Sequence, residues 1–182
     1  MNLTIQPSGP LRGEVTAPGD KSITHRALML GALGDGPSLI RGPLDGGDCQ
    51  ATMGCLTGLG VPVERLEQSV LRVSGVGLRG FREPEEPLNC VRSGTTMRLL
   101  CGLLAGQPLF SVLTGDEQLR RRPMDRVAIP LRRMGARIEG RQGGRLPPLA
   151  IAGGGLRGCE HDLPVASAQV KSALLLAALY AK

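Results

Sequence analysis

Two segments of this chain, Leu71-Arg-Val-Ser-Gly-Val-Gly-Leu-Arg-Gly80 and Leu149-Ala-Ile-Ala-Gly-Gly-Gly-Leu-Arg-Gly158, align without a gap at an offset of 78 residues. Self-similarity at so long a period constrains the chain to repeat a supersecondary unit, because the second copy carries the same alternation of apolar and turn residues as the first. The match continues upstream. Leu56-Thr-Gly-Leu-Gly-Val-Pro-Val-Glu64 pairs with Leu131-Arg-Arg-Met-Gly-Ala-Arg-Ile-Glu139, with Gly60 and Gly135 in the place of a left-handed helix stop. The triplet Leu-Arg-Gly occurs a third time, at 11–13. Each copy precedes a Ser that opens an apolar helix with a cation one turn in: Ser22 with Arg26, Ser93 with Arg98, Ser167 with Lys171.

Periodicity supplies the elements of the unit. Period-2 runs predict strands at Asn2–Gln6, Gly13–Ala17, Val61–Leu66, Val70–Ser74, Ala136–Glu139 and Leu149–Ala152. Helical spacing predicts Ser22–Leu33, Cys49–Leu59, Gly94–Leu104, Met124–Met134 and Ala168–Ala181. The repeat is then β-α-β-α-β-β, and the fold class is α+β. Two whole units are expected, with a third that stops after its first helix, so the fold is incomplete at the C-terminus and its missing elements belong to a second polypeptide or to a longer chain.

The three helix starts carry a chemical expectation. A helix N-terminus presents unpaired N–H groups and about half a positive charge, and a first-turn Arg or Lys adds a full charge there. Three such sites suit a polyanionic substrate. Composition agrees: the formal charge is +6, and of 22 cationic residues only Lys21, Lys171 and Lys182 are lysines. Arginine favours bidentate capture of carboxylate or phosphate. One Tyr, two Phe and no Trp leave no platform for base stacking, which argues against a nucleic-acid partner. The five cysteines have neither disulfide nor zinc spacing and read as reduced thiols of a cytoplasmic protein. No apolar run reaches the roughly 18 residues of a membrane span, and no residue pattern calls for a metal.

Individual residues admit two readings at this stage. Lys21, in Pro18-Gly19-Asp20-Lys21-Ser22, either faces an anion together with Arg26 or stands in solvent beside a capping Asp20 or Ser22. Gly94, in Ser93-Gly94-Thr95-Thr96, either admits a ligand to the backbone or begins an ordinary Ser-capped helix. In Arg120-Arg121-Arg122-Pro123 the first two arginines read as a solvated face, while Arg122, just before a helix, is the better ligand candidate. Asp20, Asp48 and Asp125 read as caps, and His25 and His161 as structural.

Four segments in order, PGDKSITHRALMLGALGDG, SGTTMRLLCGLLAG, RRRPMDRVAIPLRRMGA and ASAQVKSALLLAALYA, resemble the N-terminal half of the EPSP synthase (3-phosphoshikimate 1-carboxyvinyltransferase) family of enolpyruvyl transferases. The family that acts on UDP-N-acetylglucosamine shares the fold but lacks the Asp-Lys-Ser…His-Arg segment, and is a distant alternative. The resemblance implies transfer of the enolpyruvyl group of phosphoenolpyruvate to the 5-hydroxyl of shikimate 3-phosphate, in aromatic amino-acid biosynthesis, with no cofactor and no metal. It implies that Lys21 contacts both substrates, that Ser22, Arg26 and Ser167 hold shikimate 3-phosphate, that Gly94 and Arg122 bind phosphoenolpyruvate, and that Gln169 reaches both. Glyphosate is the implied inhibitor. Residues 1–20 would join another globule, and 21–182 would form a substrate-binding domain truncated in its third repeat.

Two departures from the family pattern stand out. Val91-Arg92 replaces Gly-Asn ahead of the Ser-Gly-Thr, which predicts altered phosphoenolpyruvate and glyphosate affinity. The proton-transfer carboxylate and lysine of the family belong to its C-terminal half, so the chain is expected to be inactive without a complementing half, or to self-associate. A non-catalytic anion-binding module on the same fold is the other reading.

Overall fold

The computed structural model describes residues 3–7, 9–10 and 12–182. Its elements are α1 (Lys21–Leu33), β1 (Pro37–Arg41), α2 (Gly47–Gly58), β2 (Val63–Glu67), β3 (Val70–Ser74), β4 (Leu88–Asn89), α3 (Gly94–Gly106), β5 (Phe110–Thr114), α4 (Glu117–Arg120), α5 (Asp125–Arg133), β6 (Arg137–Gly140), α6 (Arg141–Gly144), β7 (Leu146–Ala152) and α7 (Ala168–Ala178). The last short one, α6, is a single turn in which Gln142 and Gly143 leave the helical region.

The duplication is visible in the sheets. One has the order β1-β3-β2 and the other β4-β5-β7-β6, so β1, β3 and β2 correspond to β5, β7 and β6. In each, the middle strand pairs antiparallel with both neighbours. The glycine stops also repeat. Gly60 (φ 84°) donates its N–H to Thr57 O and Val61 donates to Leu56 O; Gly135 (φ 98°) donates to Arg132 O and Ala136 to Leu131 O. Both are the paired 5→2 and 6→1 bonds of a Schellman cap, which only a residue tolerating the left-handed region completes without strain.

The second unit is β-α-β-α-β-β as expected, in β4, α3, β5, α5, β6 and β7, with the short α4 and α6 added. The first unit corrects the expectation. Gly13–Ala17 is not a strand, although its counterpart β4 pairs parallel with β5. The described part of the expected first strand, residues 3–6, is not one either; Asn2, like Leu11 of the first Leu-Arg-Gly, lies outside the described residues. Leu3, Ile5 and Val15 are exposed, Val15 at 97%. Alternation supplies a face, but a strand also needs a neighbour to take its N–H and C=O groups, and no described residue pairs with these segments.

Helix α3 forms the centre. Every residue in it except Arg98 is buried, as expected of a helix apolar on all sides. Leu28 and Met29 of α1, Leu56 of α2, Leu113 of β5, Ile151 of β7 and Ala173 of α7 join it in one contiguous core. Helix α7 approaches so closely that a Cβ on Gly102 would lie 2.1 Å from the Ala173 carbonyl oxygen. Three helices that begin with a capped, polar turn are thus packed together in register with the repeat. Among the described residues no helix is long and apolar enough to cross a membrane.

Candidate anion-binding site at the helix N-termini

The first helix opens at Lys21, one residue earlier than expected, because Asp20 is the cap: its Oδ1 accepts the Ile23 N–H at 2.7 Å. Ser22 is therefore a first-turn residue with an exposed side chain. The other two starts are capped as the sequence predicts, Ser93 Oγ accepting from Thr96 N at 3.1 Å and Ser167 Oγ from Val170 N at 3.4 Å. Asp48 is not a cap. The N-cap of α2 is Gly46, and Asp48 instead pairs through Oδ2 with Lys21 Nζ at 3.2 Å. Asp125 likewise follows the cap Met124.

Tertiary contacts bring these starts to one place. From α3, the Thr96 hydroxyl contacts the Thr52 hydroxyl of α2 at 2.7 Å and the Asp48 carbonyl at 3.2 Å. From α7, Gln169 donates through Nε2 to Thr95 Oγ1 and accepts from Arg98 Nη1, each at 2.9 Å. Arg98 also donates to the Pro123 carbonyl, beside Arg122. A Cβ added to Gly94 would stand 2.7 Å from Arg98 Nη1 and 3.4 Å from Arg122 Nη1. Gly94 thus lets two guanidinium groups close on the first turn of α3. On the neighbouring side, Arg26 donates to Ser22 O at 2.9 Å and to Ser172 Oγ of α7 at 2.7 Å, which fixes it between α1 and α7.

The electrostatics are lopsided. Among the described residues no carboxylate pairs with Arg98 or Arg122; the ion pairs go to Lys21, Arg65, Arg72, Arg92 and Arg121. Burial, and then the charges of Arg122 and Arg126, lower the pKa of the Arg98 guanidinium from its ordinary value. Cations held together against their own repulsion at the positive end of a helix make a place for an anion. A groove of about 580 Å³ between α2 and residues 82–89 lies elsewhere and is lined by three carboxylates, Glu83, Glu85 and Glu86, against one Arg82, the wrong balance of charge for such a ligand.

Lys21, Gly94, Arg122 and Gln169 accordingly stand with the α1 to α3 starts, and Ser22 and Arg26 at the α1–α7 junction. Ser167 caps α7. Lys171, the cation of the third copy, does not join Arg98: it lines a groove with Cys159, His161 and Leu174. Two residues past Gln169 is a rotation of about 200°, which points it away. Arg121 pairs with Glu117, and Arg120 bonds the Gly115 carbonyl, as a solvated face should. Arg98, the cation of the second helix start, and the Thr95 and Thr96 hydroxyls beside it are expected at an anion from the sequence, although the residues implied by the family resemblance do not include them. Arg98 lies four residues after Gly94, on the same helix face and leaning back over the first turn, which is the signal that finds it.

Val91-Arg92 has a structural consequence. Val91 sits at φ 50°, in the left-handed region where a β-branched residue is strained. The turn is held by the Val91 N–H donating to Asn89 Oδ1 and by Asp116 N–H donating to Val91 O at 2.7 Å. Arg92 Nε donates to Asp116 Oδ2 at 2.9 Å, and this contact lowers the Asp116 pKa from the ordinary carboxylate value.

The model of one protein family, EPSP synthase (3-phosphoshikimate 1-carboxyvinyltransferase), matches residues 5–182. The chain is 56% identical over 180 residues to the 3-phosphoshikimate 1-carboxyvinyltransferase of Pelotomaculum thermopropionicum, covering 99% of itself and 42% of that relative. With that of Syntrophotalea carbinolica it shares 55% identity over 181 residues, 100% of itself and 42% of the relative. The structure superimposes on an EPSP synthase from Acinetobacter baumannii with a TM-score of 0.90 at 46% identity, over 93% of this chain and 38% of that one. The chain thus spans less than half the length of the relatives it matches, and that span is the part with the helix starts described above.

Proposed function

From the premise that this chain belongs to the EPSP synthase family, we propose that it is the anion-anchoring part of an enzyme moving the enolpyruvyl group of phosphoenolpyruvate to the 5-hydroxyl of shikimate 3-phosphate. The observation that carries the reading is the convergence of Lys21, Arg98, Arg122 and Gln169 on the α3 start, with no carboxylate on Arg98 or Arg122 among the described residues. Phosphoenolpyruvate carries a carboxylate and a phosphate on adjacent atoms, and two neighbouring guanidinium groups with a helix N-terminus match that pattern.

In this reading Gly94 and Arg122 take phosphoenolpyruvate, Arg98 supports them, and Gln169 spans from that pocket toward the sugar-like ring. Ser22, Arg26 and Ser167 hold shikimate 3-phosphate along the α1–α7 junction. Lys21, held by its ion pair with Asp48, stands between the two substrates. The reaction protonates the methylene carbon, adds the 5-hydroxyl oxygen to the enol carbon, and then expels inorganic phosphate as the proton returns. It needs a general acid and a general base. The work of this chain is orientation and charge: two reactants held against each other gain effective concentration, and fixed cations offset the charge on the departing phosphate. The acid and base are assigned to a complementing half, into which residues 1–20 also run.

Calorimetric titration of the purified chain with shikimate 3-phosphate and phosphoenolpyruvate, followed by phosphate release after adding the C-terminal half of a relative, tests this. Saturable binding weakened by Lys21→Ala and Arg122→Ala is expected, with turnover only after complementation. Absence of binding and of complementation refutes it. Turnover by the chain alone would place the acid and base within these residues.

A further inference from the structure

His25 lies at the centre of the site without touching its mouth. It is completely buried, its Nδ1 is 2.7 Å from Thr52 Oγ1, and its Nε2 is buried with no hydrogen-bond partner. From Thr52 the contacts continue at 2.7 Å to Thr96 Oγ1 and at 2.7 Å to Ser93 Oγ, with the Asp48 carbonyl 3.2 Å from Thr96. This chain of side chains links the second turns of α1 and α2 to the first turn of α3, joining the elements that carry Lys21, Asp48 and Gly94.

Each hydroxyl has a single proton, so the direction of the chain can be worked out. If Nδ1 carries the imidazole proton, His25 donates to Thr52 and Thr52 to Thr96. Thr96 then donates to Ser93 Oγ, with the Asp48 carbonyl as its second acceptor. Each proton from His25 through Thr96 finds an acceptor, and on the imidazole only the lone pair on Nε2 is left over. If Nδ1 is instead the acceptor, Thr96 donates to Thr52 and Thr52 to His25. Ser93 Oγ and the Asp48 carbonyl then both lose the Thr96 proton, and the imidazole N–H stands on Nε2, buried with nothing to receive it. Orphaned buried N–H groups are rare in native structures, and the first arrangement avoids one.

We infer that His25, held as the neutral Nδ1–H tautomer, is a positioning residue that sets the direction of the Thr52–Thr96–Ser93 hydroxyl chain and so locks the N-termini of α1, α2 and α3 into one anion site. The inference rests on the proposed function only for what the lock serves. Burial lowers the His25 pKa from its ordinary value, Lys21 and Arg26 add to the effect and Asp48 opposes it, so the neutral form persists near pH 7. A second proton would have to enter at Nε2, where no acceptor waits.

The test uses the full 182-residue chain without substrate. Long-range proton–nitrogen NMR correlations on His25 are expected to show the proton on Nδ1; a proton on Nε2 overturns the inference. His25→Asn places an amide N–H where Nδ1 stood, whereas His25→Leu removes the donor and Thr52→Val severs the chain from the α2 side. Amide exchange at Thr96 is expected to accelerate about tenfold in the Leu and Val variants, the order of one lost buried hydrogen bond, and to stay near wild type in His25→Asn. Equal exchange in all three variants, or acceleration in His25→Asn as large as in His25→Leu, also overturns it. If phosphoenolpyruvate does not bind the wild-type chain while tautomer and exchange behave as stated, the proposed function fails and the lock stands.

Discussion

A single methyl group, added at Gly102 or at Gly54, is expected to move stability in opposite directions. Both glycines are inside helices, so the change to Ala removes the same backbone freedom and is worth up to about 1 kcal/mol of stabilisation where nothing intervenes. At Gly54 of α2 nothing lies within 4 Å of the new Cβ, and the gain is expected in full. At Gly102 the Cβ meets Ala173 O at 2.1 Å, its carbonyl carbon at 2.7 Å and its Cα at 2.9 Å. Ordinary contact begins at 3.4 Å, so 3.4 − 2.1 requires a retreat of 1.3 Å along that line. The obstacle is backbone, which no rotamer change moves. Overpacking costs about 1–3 kcal/mol or more, and after the helix gain a net loss of about 2 kcal/mol is expected. Thermal unfolding followed by circular dichroism should show Gly54→Ala melting about 2–4 °C above wild type and Gly102→Ala about 4–8 °C below it. Because α7 carries Gln169, Gly102→Ala should also weaken phosphoenolpyruvate binding, which Gly54→Ala leaves alone. A Gly102→Ala protein as stable as Gly54→Ala would refute the close α3–α7 packing on which the site geometry depends.

Three further outcomes are expected. His25 has a folded pKa below its unfolded value of 6.5, so the unfolded state binds the extra proton between the two; stability is complete above about pH 6.5 and declines as pH falls toward the folded value. The urea midpoint should therefore drop between pH 7.5 and 5.5 by more in wild type than in His25→Asn, and identical drops would contradict it. Gln169→Leu leaves Thr95 and Arg98 without their 2.9 Å partners, and should weaken phosphoenolpyruvate binding about tenfold by titration; unchanged affinity removes Gln169 from the site. Arg92→Asn releases Asp116 from its guanidinium and should change the affinities for phosphoenolpyruvate and glyphosate, whereas equal affinities would show that the Val91-Arg92 departure is neutral.

Local chemistry was legible wherever a few neighbouring residues decide the outcome. The stops at Gly60 and Gly135, the caps at Ser93 and Ser167, the buried α3 and the repeated unit follow from residue type and spacing, because caps and periodicity act within one or two turns. Strands were harder. The edge strand β1 begins at Pro37, directly after Gly34-Asp35-Gly36, and reads as a turn, and β5 follows α3 after only Gln107-Pro108-Leu109, so its short apolar run reads with the helix before it. Conversely, Gly13–Ala17 has a strand pattern and no strand partner among the described residues. Pairing is a property of two segments, and a pattern in one cannot supply it.

The same division runs through the site. Sequence by itself determined that three helices would begin with polar, cation-bearing turns, and the family resemblance pointed to the residues at their mouths. Only the tertiary structure decided that Asp20 rather than Ser22 caps α1, that Asp48 holds Lys21, that Arg98 and Gln169 complete the α3 start while Lys171 turns away, and that His25 is joined through Thr52 to Thr96. Apart from the Asp20 cap, which spans one helical turn, those contacts join residues 27 to 71 positions apart, a distance over which no local preference acts and only the packing of one helix against the next determines which polar group finds which.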